Sequence, residues 1–338
     1  MEEIAPNIFI IKQTIGFKRY KFSVNVFVVA GKNGIVFDSG FGTKKCMKQM
    51  DTAIKDITGL MNSRGRSCSI KYAMTSHGHW DHFSGLRNLQ KNCGLQILAI
   101  KKQLPKISSQ KTYLESFSTT DSTRTRRFFS PRFGKLHIPL LCVQFVPDNI
   151  KIIKDRDIFM VDDTVWQVFH LPGHDTDDIV LYNEKQGILL GGDLILRSIT
   201  SWLGPPKSDL AAYVKSLAFV LTLPDIKRIL PSHGSPVENP HERISSAIDH
   251  RKDRTEQILG LVQKAGNKGI AFNELFGIFY PETKSYQYKT LSGWISVTLD
   301  YLVKTGAVCC EESTPFAVYK ISDPNFDLNL AWDQLICK

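Results

Sequence analysis

The chain has 338 residues, of which 42% are hydrophobic and 22% charged, and a net charge of +10. That is long enough for a large core plus a second, smaller domain, and it excludes a disordered or low-complexity polypeptide. Its apolar runs are too short to span a bilayer, and Met1-Glu2-Glu3-Ile4-Ala5-Pro6 lacks a basic, then apolar, leader, so the expectation is a cytoplasmic protein with no membrane role.

The first segments in chain order are extended. Ile8 to Ile11, Val24 to Ala30 and Ile35 to Asp38 are apolar runs, the last two joined by Gly31-Lys32-Asn33-Gly34, a hairpin signal. Thr43 to Met61 has helical spacing, with Met47, Met50, Ile54 and Ile57 on one face. Ser69 to Thr75 reads as a strand, Gly85 to Lys91 as a helix and Leu95 to Ile100 as another strand.

Residues 101–135 change in texture. Lys101, Lys102, Lys106, Lys111, Arg124, Arg126, Arg127, Arg132 and Lys135 face only Glu115 and Asp121, so much of the basic excess sits in this insert. It reads as a partly helical projection, either a solvated face or a patch for phosphates, with Arg124, Arg126 and Arg127 as candidate substrate or phosphate contacts. Short strands then resume at Leu141 to Phe145, Asp157 to Met160, Val165 to Leu171, Ile179 to Tyr182, Ile188 to Leu190 and Ile229-Leu230, with a helix from Ser208 to Leu221.

From Pro240 the pattern is mostly helical. His241 to Lys264, Phe272 to Phe279 and Tyr288 to Lys304 read as helices, and Ala307 to Cys310 with Phe316 to Ile321 reads as a hairpin. Three helices and a hairpin are the layout of a winged helix. The predicted division is therefore 1–239 and 240–338.

The chemistry concentrates in Ser76-His77-Gly78-His79-Trp80-Asp81-His82. In an extended chain, side chains two apart point the same way, so His77 and His79 can reach one ion together, while Asp81 and His82 can face a second position nearby. Gly173-His174, Gly192-Asp193 and His233-Gly234 each place a ligand beside a glycine just past a strand, where the backbone can turn sharply. His137, His170, His241 and His250 have no such context. None of the seven cysteines lies in these motifs or forms a CxxC, so thiolate ligation is not indicated and a reducing compartment is.

The motif order resembles the metallo-β-lactamase superfamily over residues 1–235, with His77-Gly78-His79-Trp80-Asp81-His82 matching its HxHxDH. The resemblance implies an α/β chain folded as an αββα sandwich. It implies two divalent ions, zinc foremost and iron or manganese as alternatives. His77, His79 and His174 would hold one, Asp81, His82 and His233 the other, with Asp193 bridging. It also implies that Asp38 supports the ligands and that Asp81 orients a metal-bridging hydroxide and takes up its proton. Ser76, Asp175 and Ser232 stand where Thr, Thr and Gly are usual. The C-terminal helix from His241 through Arg254 resembles the branch that includes β-lactamase-like protein 2 and glyoxalase II-like hydrolases. The expected activity is hydrolysis of a small ester, thioester or lactone. The alternatives are a metal-dependent endoribonuclease that grips single-stranded RNA with the basic insert, and a non-catalytic interaction protein that uses the winged helix to form a homodimer.

Overall fold

The structure is a computed structural model that describes residues 1–17, 20–116, 138, 141–283, 291–313 and 316–337. Arg124, Arg126 and Arg127, with Phe117, Phe128, Phe129 and His137, lie outside the described residues.

Two sheets form the centre. The first has seven strands in chain order: β1 (Glu2–Ala5), β2 (Ile8–Phe17), β3 (Tyr20–Val29), β4 (Lys32–Phe37), β5 (Ser69–Met74), β6 (Gln96–Ile100) and β7 (Ile150–Ile153). The first four are antiparallel, and β4 to β7 run parallel. Helix α1 (Lys44–Ser63) makes the crossover between β4 and β5 and starts where the Thr43 side chain accepts from the Cys46 backbone N–H. The short α2 (Trp80–Phe83) and α3 (Leu86–Cys93) connect β5 to β6.

The second sheet has five strands: β8 (Ile158–Val161), β9 (Thr164–His170), β10 (Ile179–Asn183), β11 (Ile188–Gly192) and β12 (Arg228–Pro231), in the order β12-β11-β10-β9-β8. β11 and β12 are parallel, with α4 (Leu104–Ile107) and α5 (Gln110–Ser116) preceding this sheet in the chain and α6 (Leu210–Leu221) crossing between them.

Alternation along the strands explains the layering. Phe27 and Val29 point between the sheets with Phe37, Leu98, Trp166, Leu181 and Leu190, whereas Val26 and Val28 point outward onto Met50, Ile57 and Leu89 of α1 and α3. Both faces are covered, so the central strands are apolar throughout. The outer face of the second sheet, with Phe169, Val180 and Leu189, is covered by α6 and the C-terminal helices. The result is the expected αββα sandwich.

The C-terminal segment contains α7 (Pro240–Ala265), β13 (Ile270–Ala271), α8 (Phe272–Phe279), α9 (Gly293–Lys304), β14 (Val308–Glu311), β15 (Val318–Ile321) and α10 (Leu328–Ile336), with a small β13-β15-β14 sheet. Val214 and Leu217 share one apolar cluster with Ile244, Ile248, Leu299 and Trp332, so the core runs without a break across residue 240.

Three local readings need correction. Leu141 to Phe145 is not a strand: Val143 N–H donates to the Ile138 carbonyl and Gln144 reaches the Gly42 carbonyl, so this stretch braces the sheet face instead of joining a ladder. The β-branched run at Ile150–Ile153 takes the ladder position beside β6. The start of the basic insert does not project, because Gln103, Lys106 and Ile107 are buried. The terminal helix α10, which buries Trp332, was not read from sequence.

Candidate metal centre

The ends of β4, β5, β9, β11 and β12 meet along one edge of the sandwich, and each delivers a polar residue there. Asp38 follows β4, His77 to His82 follow β5, His174 follows β9, Asp193 follows β11 and His233 follows β12. Asn25 on β3 ties the last loop down by donating to the carbonyls of Pro231 and Gly234, both at 2.9 Å. Gly173 has φ +152°, and a Cβ there would lie 2.3 Å from the Tyr213 Cα on α6, so only glycine lets the backbone bring His174 in over that helix.

Among the described residues, three groups of side chains could hold a metal ion: His77, His79 and His174; His77, His82 and Asp193; and Asp81, His82 and His233, the ligand atoms in each group lying within 4.8 Å of one another. Because His77 and His82 are each shared between two groups, the three groups form one connected cluster. The donor atoms fit ions. His77 Nε2, His82 Nε2 and Asp193 Oδ1 are buried and without a hydrogen-bond partner among the described residues. The Nε2 of His174 and the Nδ1 of His79 face each other at 3.3 Å, close enough for one cation to take both lone pairs.

The opposite ring nitrogens are occupied. Nδ1 of His174 donates to the Trp202 carbonyl at 2.7 Å, and Nδ1 of His233 donates to the Ser23 carbonyl at 2.6 Å. A carbonyl can only accept, so Nδ1 carries a proton in both rings and Nε2 is the nitrogen that faces inward. Nδ1 of His82 lies 3.0 Å from Asp38 Oδ2. Ser76 Oγ donates to the same Asp38 oxygen and sits 3.0 Å from His77 Nδ1. Ser232 Oγ also donates to Asp38, so two of the positions that depart from the family pattern converge on this carboxylate.

Electrostatics divide the rings. Burial, helped by the charges of His82, His79 and His174, pushes His77 well below the usual histidine range. Burial and His79 hold His174 down to about 4. Burial opposes charge on His233 as well, but Asp193 and Asp81 override it and raise the ring to about 9. Likewise Asp38, Asp81 and Asp193 outweigh burial and raise His82 well above its usual range. Burial would raise the Asp81 carboxyl, yet His82 and His233 bring it down to about 2. Asp193 is lowered for the same reason, by His233 and His82 against burial.

All seven predicted ligands and Asp38 therefore come together at one edge. His170 instead bonds the Thr176 carbonyl, and neither it nor His241 or His250 joins the cluster. The seven cysteines are all free thiols and none belongs to it. Sequence reasoning missed the carbonyls of Trp202 and Ser23, which carry no side-chain signature. It also missed Lys106 as a buried group; the acidic run Asp175-Thr176-Asp177-Asp178 was the available signal. Tyr113 of α5 packs against Phe83 and Phe145. A cavity of about 660 Å³ bounded by Asn7, Lys32, Arg66, Asp162 and Lys185 lies at the opposite edge, where β4 begins, and holds none of these ligands.

A two-sheet sandwich with paired His/Asp clusters at its strand ends defines a metal-dependent hydrolase. The family model of the metallo-β-lactamase superfamily matches residues 19–233, and the chain belongs to that superfamily. It is 26% identical over 292 residues to the β-lactamase-like protein 2 homolog of Drosophila melanogaster, covering 83% of this chain and 86% of that one. It is 20% identical over 299 residues to a Claviceps purpurea protein named atrochrysone carboxyl ACP thioesterase, covering 86% and 78%. Its fold is similar to the crystal structure of a metallo-β-lactamase family protein from Thermus thermophilus, with a TM-score of 0.70 at 18% identity over 94% of this chain and 99% of that one.

Proposed function

We propose that the chain is a two-metal hydrolase of small acyl substrates, an ester or thioester with an apolar acyl group in the first place. The observation that carries the two-metal reading is the overlap of the ligand groups through His77 and His82. In this assignment His77, His79 and His174 hold one ion, Asp81, His82 and His233 the other, and Asp193 lies between them. A nitrogen and oxygen donor set without thiolate suits zinc and also accommodates iron or manganese. Two divalent ions bound there supply an activated water and Lewis-acid polarisation of the scissile carbonyl.

The remaining work belongs to the side chains. Asp81 sits 3.4 Å from His233 Nε2, and in this reading its carboxylate would orient the attacking water and take up its proton. Apolar groups flank the centre. Phe22, 52% exposed, packs edge-on against Trp80, the residue between His79 and Asp81 in the chain, and Trp202, whose backbone carbonyl accepts from His174, is partly exposed. Such a rim favours an acyl chain over a polyanion. The Claviceps relative, named as a thioesterase, supports the same class. We read residues 240–338 as a winged-helix module, supported by the α8, α9 and β14–β15 order, packed as a wall of the same body.

The test is metal analysis of the purified chain together with a panel of p-nitrophenyl esters, acyl thioesters, lactones, phosphodiesters and single-stranded RNA. The expected result is two ions per chain and thioester or ester turnover that Asp193→Ala abolishes. Turnover confined to RNA or phosphodiesters would overturn the acyl reading, and undiminished turnover in the variant would reject the site.

A further inference from the structure

We infer that Lys106 is a positioning residue for the first metal position, acting through Asp175 to aim His79. This rests on the reading that His77, His79 and His174 hold an ion.

Lys106 lies on α4, in the segment whose charges read as a solvated basic insert. Its side chain is instead 3% exposed. Its ammonium group pairs with Asp175 Oδ1 and, at 2.7 Å, with Asp177 Oδ1, and both carboxylates are fully buried. A buried ammonium is tolerated only when paired in this way, and removing one partner of such a pair is costly. Asp175 divides its two oxygens. One meets Lys106, and the other lies 3.4 Å from Nε2 of His79. With Nε2 beside that carboxylate, Nδ1 of the same ring faces His174 Nε2 at 3.3 Å, which is the geometry a shared ion requires.

The stem of Lys106 supplies a second, independent constraint. A Cβ on Gly78 would lie 2.3 Å from Lys106 Cδ and 2.6 Å from its Cβ. Gly78 separates His77 from His79, so the lysine chain lies directly on the backbone that sets the two ligands apart. One turn earlier, Gln103 donates to the carbonyls of Thr75 at 2.9 Å and of Ser76 and Asp177 at 3.3 Å. The segment 103–106 thus clamps the loop after β5 to the loop after β9, and these two loops carry all three ligands of the first position.

A plain structural anchor and a positioning residue make different predictions. An anchor stabilises the fold and leaves the two ions equivalent. A positioning residue weakens one ion and spares the other. The experiment is zinc competition against a chromophoric chelator, with thermal melts of the metal-free protein, on the full chain carrying Lys106→Met or Asp175→Asn. Two binding steps are expected in the unmodified chain. In each variant one step should weaken by about 10- to 100-fold while the other keeps its affinity. Asp175→Asn changes no volume and carries the test if Lys106→Met does not fold. Two unchanged steps, or two steps weakened equally alongside a lower melting temperature, overturn the inference. A wild-type chain that takes up no zinc overturns the metal centre itself, and this inference with it.

Discussion

The Asp38 carboxylate holds Nδ1 of His82 at 3.0 Å across 44 residues of sequence. Asp38 is fully buried, adopts φ +63°, and also accepts the Ser76 backbone N–H at 2.7 Å. It therefore fixes the ring of one ligand and the backbone leading to another. Asp38→Asn keeps a residue that tolerates positive φ but replaces an acceptor by an amide. Metal affinity at the position of His82 should fall about 10- to 100-fold. Chelator competition checks this, and wild-type affinity in the variant would show that the contact is incidental.

The metal-free centre should depend on pH in a defined direction. His233 is raised to about 9 from 6.5, so its ion pairs contribute stability that is complete below about 6.5 and is lost as pH rises through about 9. Asp81 is lowered to about 2 from 3.8, so its share is complete above about 3.8 and is lost as pH falls through about 2. Melts of the metal-free protein should decline from about pH 6.5 to about 9. Zinc must displace the His233 proton, so its apparent affinity should climb over the same interval. A flat melting temperature across that interval counts against the pairing.

Arg251 links the C-terminal segment to the loop that orients His174. Its guanidinium, 5% exposed, donates to the Ser201 carbonyl and lies 5.7 Å from the Tyr213 ring centre. The next residue, Trp202, offers the carbonyl that orients His174. Arg251→Ala should cost about 1–3 kcal/mol in urea unfolding. It should also loosen zinc at the position of His174, whereas a loss of stability with intact zinc binding would limit Arg251 to packing.

Trp202 should set acyl preference. Trp202→Ala removes a partly exposed indole from the loop whose backbone carbonyl accepts from His174, and kcat/KM for long-chain thioesters should fall roughly tenfold while that for acetyl thioesters holds. A uniform loss across chain lengths would point to a displaced His174 instead.

Much of this centre was legible in the sequence because its densest part is local. His77 to His82 occupy one short stretch, a loop running into α2, and the alternation of an extended chain already pairs His77 with His79. His174, Asp193 and His233 could be found because each stands beside a glycine at a strand end, and the family resemblance supplied their grouping and the role of Asp38. Most strands of the two central sheets and α1, α6 and α7 followed from periodicity, while β1 and β7 did not and the stacking of the sheets came from the family resemblance. Irregular backbone defeated it at Leu141 to Phe145, where hydrogen bonds go to neighbouring loops and not to a strand.

Tertiary structure decided what surrounds the ligands. Backbone carbonyls at Ser23 and Trp202 choose the tautomers of His233 and His174, and no residue type announces a carbonyl. Lys106 reads as one charge among many in a basic stretch. Its burial depends on a glycine 28 positions earlier and aspartates about 70 positions later, which only the packed sheets bring to it. The sequence by itself determined which atoms can bind an ion, because donor chemistry is a property of residue type. The fold decided which nitrogen of each ring faces inward, because that is set by acceptors contributed by distant parts of the chain.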